Sequence, residues 1–209
     1  MSKKVYFFGK KIGMTQLIDE QGVVIPVTVL EAFDNKVIRH KTNESDGYSA
    51  MVVGFNSCDK KKLSKPQIGQ FKNVAYKYVK EIRVDQSQFI PVDESVNYDS
   101  FTIGTTYDIQ SRTIGRGFTG AIKAWNHQRG PESHGSKNHR LLGSIGQATT
   151  PGRVMKGKKM HTRYGNETVT QKNCILIRRD GNIFYFKGSV PGKNNLVSVF
   201  GEFKNDSSN

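Results

Sequence analysis

The stretch "HGSKNHRLLGSIGQATTPGRVMKGKKMHTR", His134 to Arg163, decides how the rest of the chain is read. It holds seven Lys/Arg, three His and five Gly, and no carboxylate. Its apolar residues (Leu141, Leu142, Ile145, Val154, Met155, Met160) keep neither a helical nor a strand period for long. Such a segment is too poor in apolar side chains to make a core and too rich in glycine to make a stable helix. A structureless loop of this length inside a compact domain is either functional or disordered. The reading adopted is that another molecule orders it.

Strand-like sequence lies on both sides of it. "KVYFFGKKIGMTQLID", the turn "EQG" and "VVIPVTVLEAF" read as a hairpin. "NKVIRHKT" and "YSAMVVGFN" flank the turn cluster "NESDG" and read as a second. Beyond the basic segment, "VTQKNCILIRRDGNIFYFKGSVPG" alternates again. Its Asp-Gly favours the turns that suit right-twisted strands. Strands before and after the basic segment can close one barrel, which leaves the segment as a long excursion. Pro66 and the run Phe71, Val74, Ala75, Tyr78, Val79, at i, i+3, i+4 spacing, predict one or two short helices. The expected organisation is mainly β with some α. A β-barrel body takes residues 1–58, 93–114 and 168–201, and a small helical insertion takes 59–92. A long extended basic arm takes 115–167, and a polar, frayed C-terminal tail takes 202–209.

Charge is distributed unevenly. The chain carries 32 Lys/Arg against 18 Asp/Glu, a net +14. Between Ile109 and Arg179 there are fourteen Lys/Arg and two carboxylates, Glu132 and Glu167, so this third of the chain supplies +12. A one-sided field repels itself unless a polyanion neutralises it, and nucleic acid is the favoured partner. An anionic membrane would call for a basic amphipathic helix, and the sequence offers none. Cys58 and Cys174, 116 residues apart, are neither a disulfide framework nor a zinc pattern. They read as reduced thiols of a cytosolic protein. The apolar run of the N-terminus is too short for a signal peptide or an anchor.

"GRGFTG", Gly115 to Gly120, matches GxGxxG, but the ribose-binding acid expected about twenty residues on is missing. "GRVMKGKK", Gly152 to Lys159, has P-loop spacing as far as Lys158, but Lys159 stands where Ser or Thr would bind magnesium. His134, His139 and His161, with Glu132 and Glu167, fit no zinc or acid–base spacing. No catalytic residue, metal or cofactor is expected. Histidines among Lys/Arg read instead as hydrogen-bond donors to RNA or as stacking partners. Trp125, the sole tryptophan, reads either as a core or hinge anchor or as a stacker on a base or ribose, and both readings stay open. The strongest signal is the Lys/Arg set, because phosphate contacts supply affinity without sequence reading. The RNA-contact candidates are Arg116, Lys123, Trp125, Arg129, His134, Lys137, His139, Arg140, Arg153, Lys156, Lys158, Lys159, His161 and Arg163. A hairpin from Arg129 to Arg163, with about seventeen residues per leg, would reach roughly 55 Å if fully extended. Its tip, Gly143 to Gly152, is uncharged.

"GPESHGSKNHRLLGSIGQATTPGRVMKGKKM", followed by "GNETVT", closely resembles the signature of the bacterial-type large-subunit ribosomal protein L-three family. "GKKIGMTQLIDEQGVVIPVTVLEA", "DGYSAMVVGF", "KPQIGQF", "GRGFTGAIK" and "FKGSVPG" resemble the same family, in order, across about 190 residues. The segments "MHTRYGNE" and "RRDGNIFY" and the tail after Val199 depart from it. The resemblance implies a translation-protein-type β-barrel with a helical insertion, and an arm that threads into large-subunit rRNA towards the peptidyl-transferase centre. It also implies binding near the 3′ end of that rRNA, a role early in subunit assembly, contacts from neighbouring ribosomal proteins, a place in the cytoplasmic ribosome, and no enzymatic activity. In some members the glutamine of "GSIGQ" is N5-methylated. Here that residue is Gln147, which makes a glutamine methyltransferase an expected partner. The rival reading is a free-standing RNA chaperone with the same charge physics.

Overall fold

The computed structural model describes residues 4–71, 74–193 and 196–202. The chain divides into two compact units. One takes in the sequence up to Arg112 and from Thr168 onward; the other is Thr113–Glu167.

The first unit is built of strands. β1 (Lys4–Ile18) and β2 (Val24–Ala32) form the expected hairpin, turned at Asp19–Val23 with Gly22 at φ 78°. β6 (Thr106–Arg112), β9 (Thr168–Asp180), β10 (Ile183–Lys187) and β11 (Leu196–Glu202) complete a closed barrel with them, in the order β1-β11-β6-β9-β10-β2. Every pairing is antiparallel. The β9–β10 hairpin falls at the expected Asp-Gly, but Asp180 pairs with Ile183 in the ladder, and Gly181 (φ 57°) and Asn182 make the turn.

β3 (Asn35–Lys41) and β4 (Ala50–Ser57) form the second expected hairpin, but they lie outside the barrel ring. They pair with β5 (Tyr76–Ile82) in a separate three-stranded sheet. Between β3 and β4 stands a one-turn helix, α1 (Asn43–Asp46), entered through Thr42, whose hydroxyl accepts from Ser45 N–H, and left through Gly47 at φ 78°.

The 59–92 region is not helical as expected. Its described residues hold 3-10 turns at Lys60–Lys62 and Gln86–Gln88, the short helix α2 (Lys65–Ile68) and strand β5. The helical spacing of Phe71, Val74, Ala75, Tyr78 and Val79 competes with a period of two in Tyr76, Tyr78, Lys80 and Ile82. The free edge of β4 decides between them, because pairing there buries Tyr76 and Ile82. Of the expected 202–209 tail, Glu202 closes β11, and 203–209 lie outside the described residues.

β1 explains why "VYFF" is apolar without alternation. Val5 and Phe7 point into the barrel, with Leu30, Ile109, Leu176, Phe184, Phe186, Val197 and Val199. Tyr6 and Phe8 point outward into a second core, with Val37, Met51, Val53 and Phe55. A strand covered on both faces is apolar at successive positions. Phe7 stacks on Phe184 at 4.5 Å between centroids, and Phe8 on Phe55 at 4.7 Å. Each such ring, fully buried, contributes roughly 1.5–3 kcal/mol. The fully buried Asn35 joins the layers: its Nδ2 shares two N–H donors among the carbonyls of Phe8 and Phe33 and the Tyr98 hydroxyl, and its Oδ1 accepts from Phe8 N–H. A buried amide is tolerable only when satisfied in this way.

Candidate nucleic-acid interface

The Thr113–Glu167 unit opens with a backbone ladder. Thr113 N–H donates to Glu167 O at 2.8 Å, Arg116 N–H to Tyr164 O at 2.8 Å, and Tyr164 N–H to Gly117 O at 3.0 Å. β7 (Phe118–Thr119) and β8 (Thr162–Arg163) continue it. Gly165, at φ 74°, lets the legs close: a Cβ there would fall on Ile114 O.

Strand alternation sets what each side chain does. Thr119 turns inward, and its hydroxyl donates to the carbonyls of Arg116 and Gly117. Phe118 therefore turns outward and is 77% exposed. A five-residue helix, α3 (Ala121–Trp125), follows and ends at Asn126 in the left-handed conformation. Its last residue crosses to the other leg, where Trp125 Nε1 donates to Met160 O at 2.8 Å. The Lys159 ammonium lies over the indole, 5.8 Å from its centroid. The structure thus supports the anchor reading of Trp125.

Beyond Trp125 the chain makes local turns. Gly130 N–H donates to His139 O at 3.0 Å, and His139 Nδ1 bonds Pro131 O at 2.9 Å. A Cβ on Gly130 would collide with Asn138 O, so this closure requires glycine. Gly152 N–H donates to Ala148 O at 3.2 Å and Lys158 N–H to Met155 O at 3.4 Å. These turns take up chain, so the legs are not the fully extended segments behind the 55 Å reach.

Only Thr119 and Ala121 are buried in this unit. All fourteen predicted contact residues, Arg116 through Arg163, are exposed, as is Gln147. The unit carries ten Lys/Arg against two carboxylates. Glu132 pairs with Arg129. The structure brings Lys159 to Trp125 and His161 to Phe118, whose rings lie 6.3 Å apart. Among the described residues no group of three His, Cys, Asp or Glu is placed to hold a metal. No helix there is long and apolar enough to cross a membrane. Both cysteines are free, and burial raises the Cys174 thiol pKa, with the Asp108 charge adding to the shift.

Phe118 is the residue that sequence reasoning passed over. Its signal was a lone aromatic among the glycines of "GRGFTG", which was read for its glycines.

The family described as Ribosomal protein L3 matches residues 57–182. "Large ribosomal subunit protein uL3c" of Phaeodactylum tricornutum is 45% identical over 201 residues, 93% of this chain and 97% of that relative. The uL3c of Guillardia theta is 41% identical over 94% of this chain and 99% of its own length. "Large ribosomal subunit protein uL3" of Desulfotalea psychrophila is 42% identical over 96% of this chain and 99% of its own.

Proposed function

The chain belongs to the Ribosomal protein L3 family, and on that premise we propose that it is a structural constituent of the large ribosomal subunit, not an enzyme. It binds large-subunit rRNA near the 3′ end, aids early assembly, and sends Thr113–Glu167 as an arm towards the peptidyl-transferase centre of the cytoplasmic ribosome. The six-stranded ring is its translation-protein-type barrel, and neighbouring ribosomal proteins contact the body. Gln147, exposed in the uncharged tip, is the residue a glutamine methyltransferase would modify.

The observation that carries this reading is a unit with ten exposed Lys/Arg and only two buried residues. Such a unit has almost no core of its own. RNA phosphates would supply both the neutralisation and the ordering, and condensed counterions would be released as they do so. With six to ten phosphate contacts, affinity falls roughly 10³–10⁵-fold between about 50 and 200 mM salt, by the duplex-DNA relation. The test is binding of the full chain to large-subunit rRNA across that range, paired with co-sedimentation on large subunits in high salt. Steep salt dependence with retention on the subunit is expected. Binding with no salt dependence contradicts the reading, and a chain that washes off the subunit is a free-standing chaperone.

A further inference from the structure

Phe118 is the most exposed large hydrophobic side chain among the described residues, at 77%. Its surroundings are specific. Across the β7–β8 ladder it faces Arg163, and cross-strand partners hold their Cβ atoms about 4.5–5.5 Å apart on one face. The His161 ring lies beside it, 6.3 Å between centroids and inclined at 56°. On the opposite face of the strand Thr119 is buried and tied to the carbonyls of Arg116 and Gly117, so Phe118 cannot turn inward without breaking the ladder. An uncovered aromatic face, turned outward with an arginine opposite it in the ladder and an imidazole ring beside it, fits a flat nucleobase-like ring next to a phosphate.

We propose that Phe118, with Arg163 and His161 at its rim, is a stacking platform for an unpaired nucleobase of the bound RNA. The inference rests on the rRNA-binding function proposed above and adds a contact of a different kind. Lys and Arg neutralise phosphates wherever they lie, whereas an aromatic face recognises a base that has left its helix. Trp125 is less suited to this role, because its indole N–H is taken by Met160 O and Lys159 lies over its ring.

The two kinds of contact separate by salt dependence. A stacked base releases no counterion, so its loss lowers affinity without changing the salt slope. The experiment measures binding of the full chain to large-subunit rRNA, at several salt concentrations, for Phe118→Ala, Phe118→Leu and Phe118→Trp. Phe118 packs on no core, so these variants leave the fold intact, and circular dichroism checks this. Alanine substitution of a stacking residue weakens binding roughly 5- to 150-fold. The expected result is such a loss for alanine and leucine, near-full rescue by tryptophan, and an unchanged slope for all three. Leucine binding as well as phenylalanine would show an apolar contact rather than stacking and overturn the proposal. So would alanine binding like the parent, or a slope that changes with the side chain. If the parent chain itself bound without salt dependence, the broader function would fail. A parent that behaves as expected beside an indifferent Phe118→Ala isolates the failure to the platform.

Discussion

Trp125 and Met160 are joined by a hydrogen bond of 2.8 Å from the indole N–H to the backbone carbonyl, across 35 residues of sequence. Together with the β7–β8 ladder, this bond fixes how the two legs of the basic unit begin. It involves no phosphate-binding atom. Trp125→Ala should therefore weaken rRNA binding by loosening the legs while leaving the salt slope unchanged. Trp125→Phe should lie between the two, keeping ring contact and losing the bond. As the sole tryptophan, Trp125 also makes intrinsic fluorescence a reporter of this unit alone. A salt slope that falls with Trp125→Ala would show that the substitution disturbs phosphate contacts directly.

Lys158 tests the phosphate contacts themselves. It is exposed, and its backbone N–H closes a turn on Met155 O. Lys158→Ala keeps that backbone bond and removes one charge. Affinity should fall modestly, and the slope of log affinity against log salt should shrink by roughly 0.7–0.9. An unchanged slope would mean that the Lys158 ammonium stays in solvent when RNA is bound.

Sparse burial in Thr113–Glu167 predicts where a protease cuts. Local opening is cheapest where few apolar contacts oppose it. In the free protein, limited proteolysis should nick between Gly130 and Arg163 first and leave a barrel-sized core, and added rRNA should suppress the cut. Protection equal to that of the barrel strands, without RNA, would contradict an arm ordered by its ligand.

The three-stranded sheet carries a pH dependence whose sign follows from one ion pair between its outer strands, β3 and β5. The Lys41 ammonium lies 2.8 Å from Glu81 Oε1, and the Tyr48 hydroxyl donates to Glu81 Oε2 at 2.7 Å. The hydrogen bond from Lys41, then that from Tyr48, hold the Glu81 carboxyl below its ordinary range. A carboxyl depressed in the folded state stabilises fully above its unfolded value and loses that contribution as pH falls through the folded value. Denaturant midpoints should therefore drop on acidification below roughly pH 4.3, and Glu81→Gln should flatten that part of the profile. Identical profiles for the two proteins would remove Glu81 from the acid response.

The sequence revealed the elements better than their assembly. The hairpins β1–β2, β3–β4 and β9–β10 were legible because turn chemistry and β-branched alternation are local. The separation of β3 and β4 from the barrel was not, since sheet membership depends on partners far along the chain. β5 was misread because Val74, Ala75, Tyr78 and Val79 satisfy a helical period while Tyr76 and Ile82 need the edge of β4 to be seen as strand. At the candidate site, charge was legible because Lys and Arg announce themselves. The Trp125–Met160 bond, the Gly130–His139 closure and the outward Phe118 were not, because each depends on which leg residue faces which.

Gln147 and Thr149 lie in the uncharged stretch Gly143 to Gly152, the proposed tip, and both are exposed. A bulky replacement at either, such as Gln147→Trp or Thr149→Arg, should alter substrate or inhibitor behaviour at the peptidyl-transferase centre through displaced rRNA, while large-subunit assembly continues. Peptide-bond formation and inhibitor sensitivity identical to the parent would place the tip away from that centre.

The most direct measurement is a reconstruction of the large ribosomal subunit containing this chain, read at Gln147. The arm assignment predicts that Gln147 packs against rRNA inside the particle, with Lys156, Lys158 and Lys159 on flanking phosphates. A map with Gln147 in bulk solvent at the subunit surface, and those lysines away from phosphate, would contradict it.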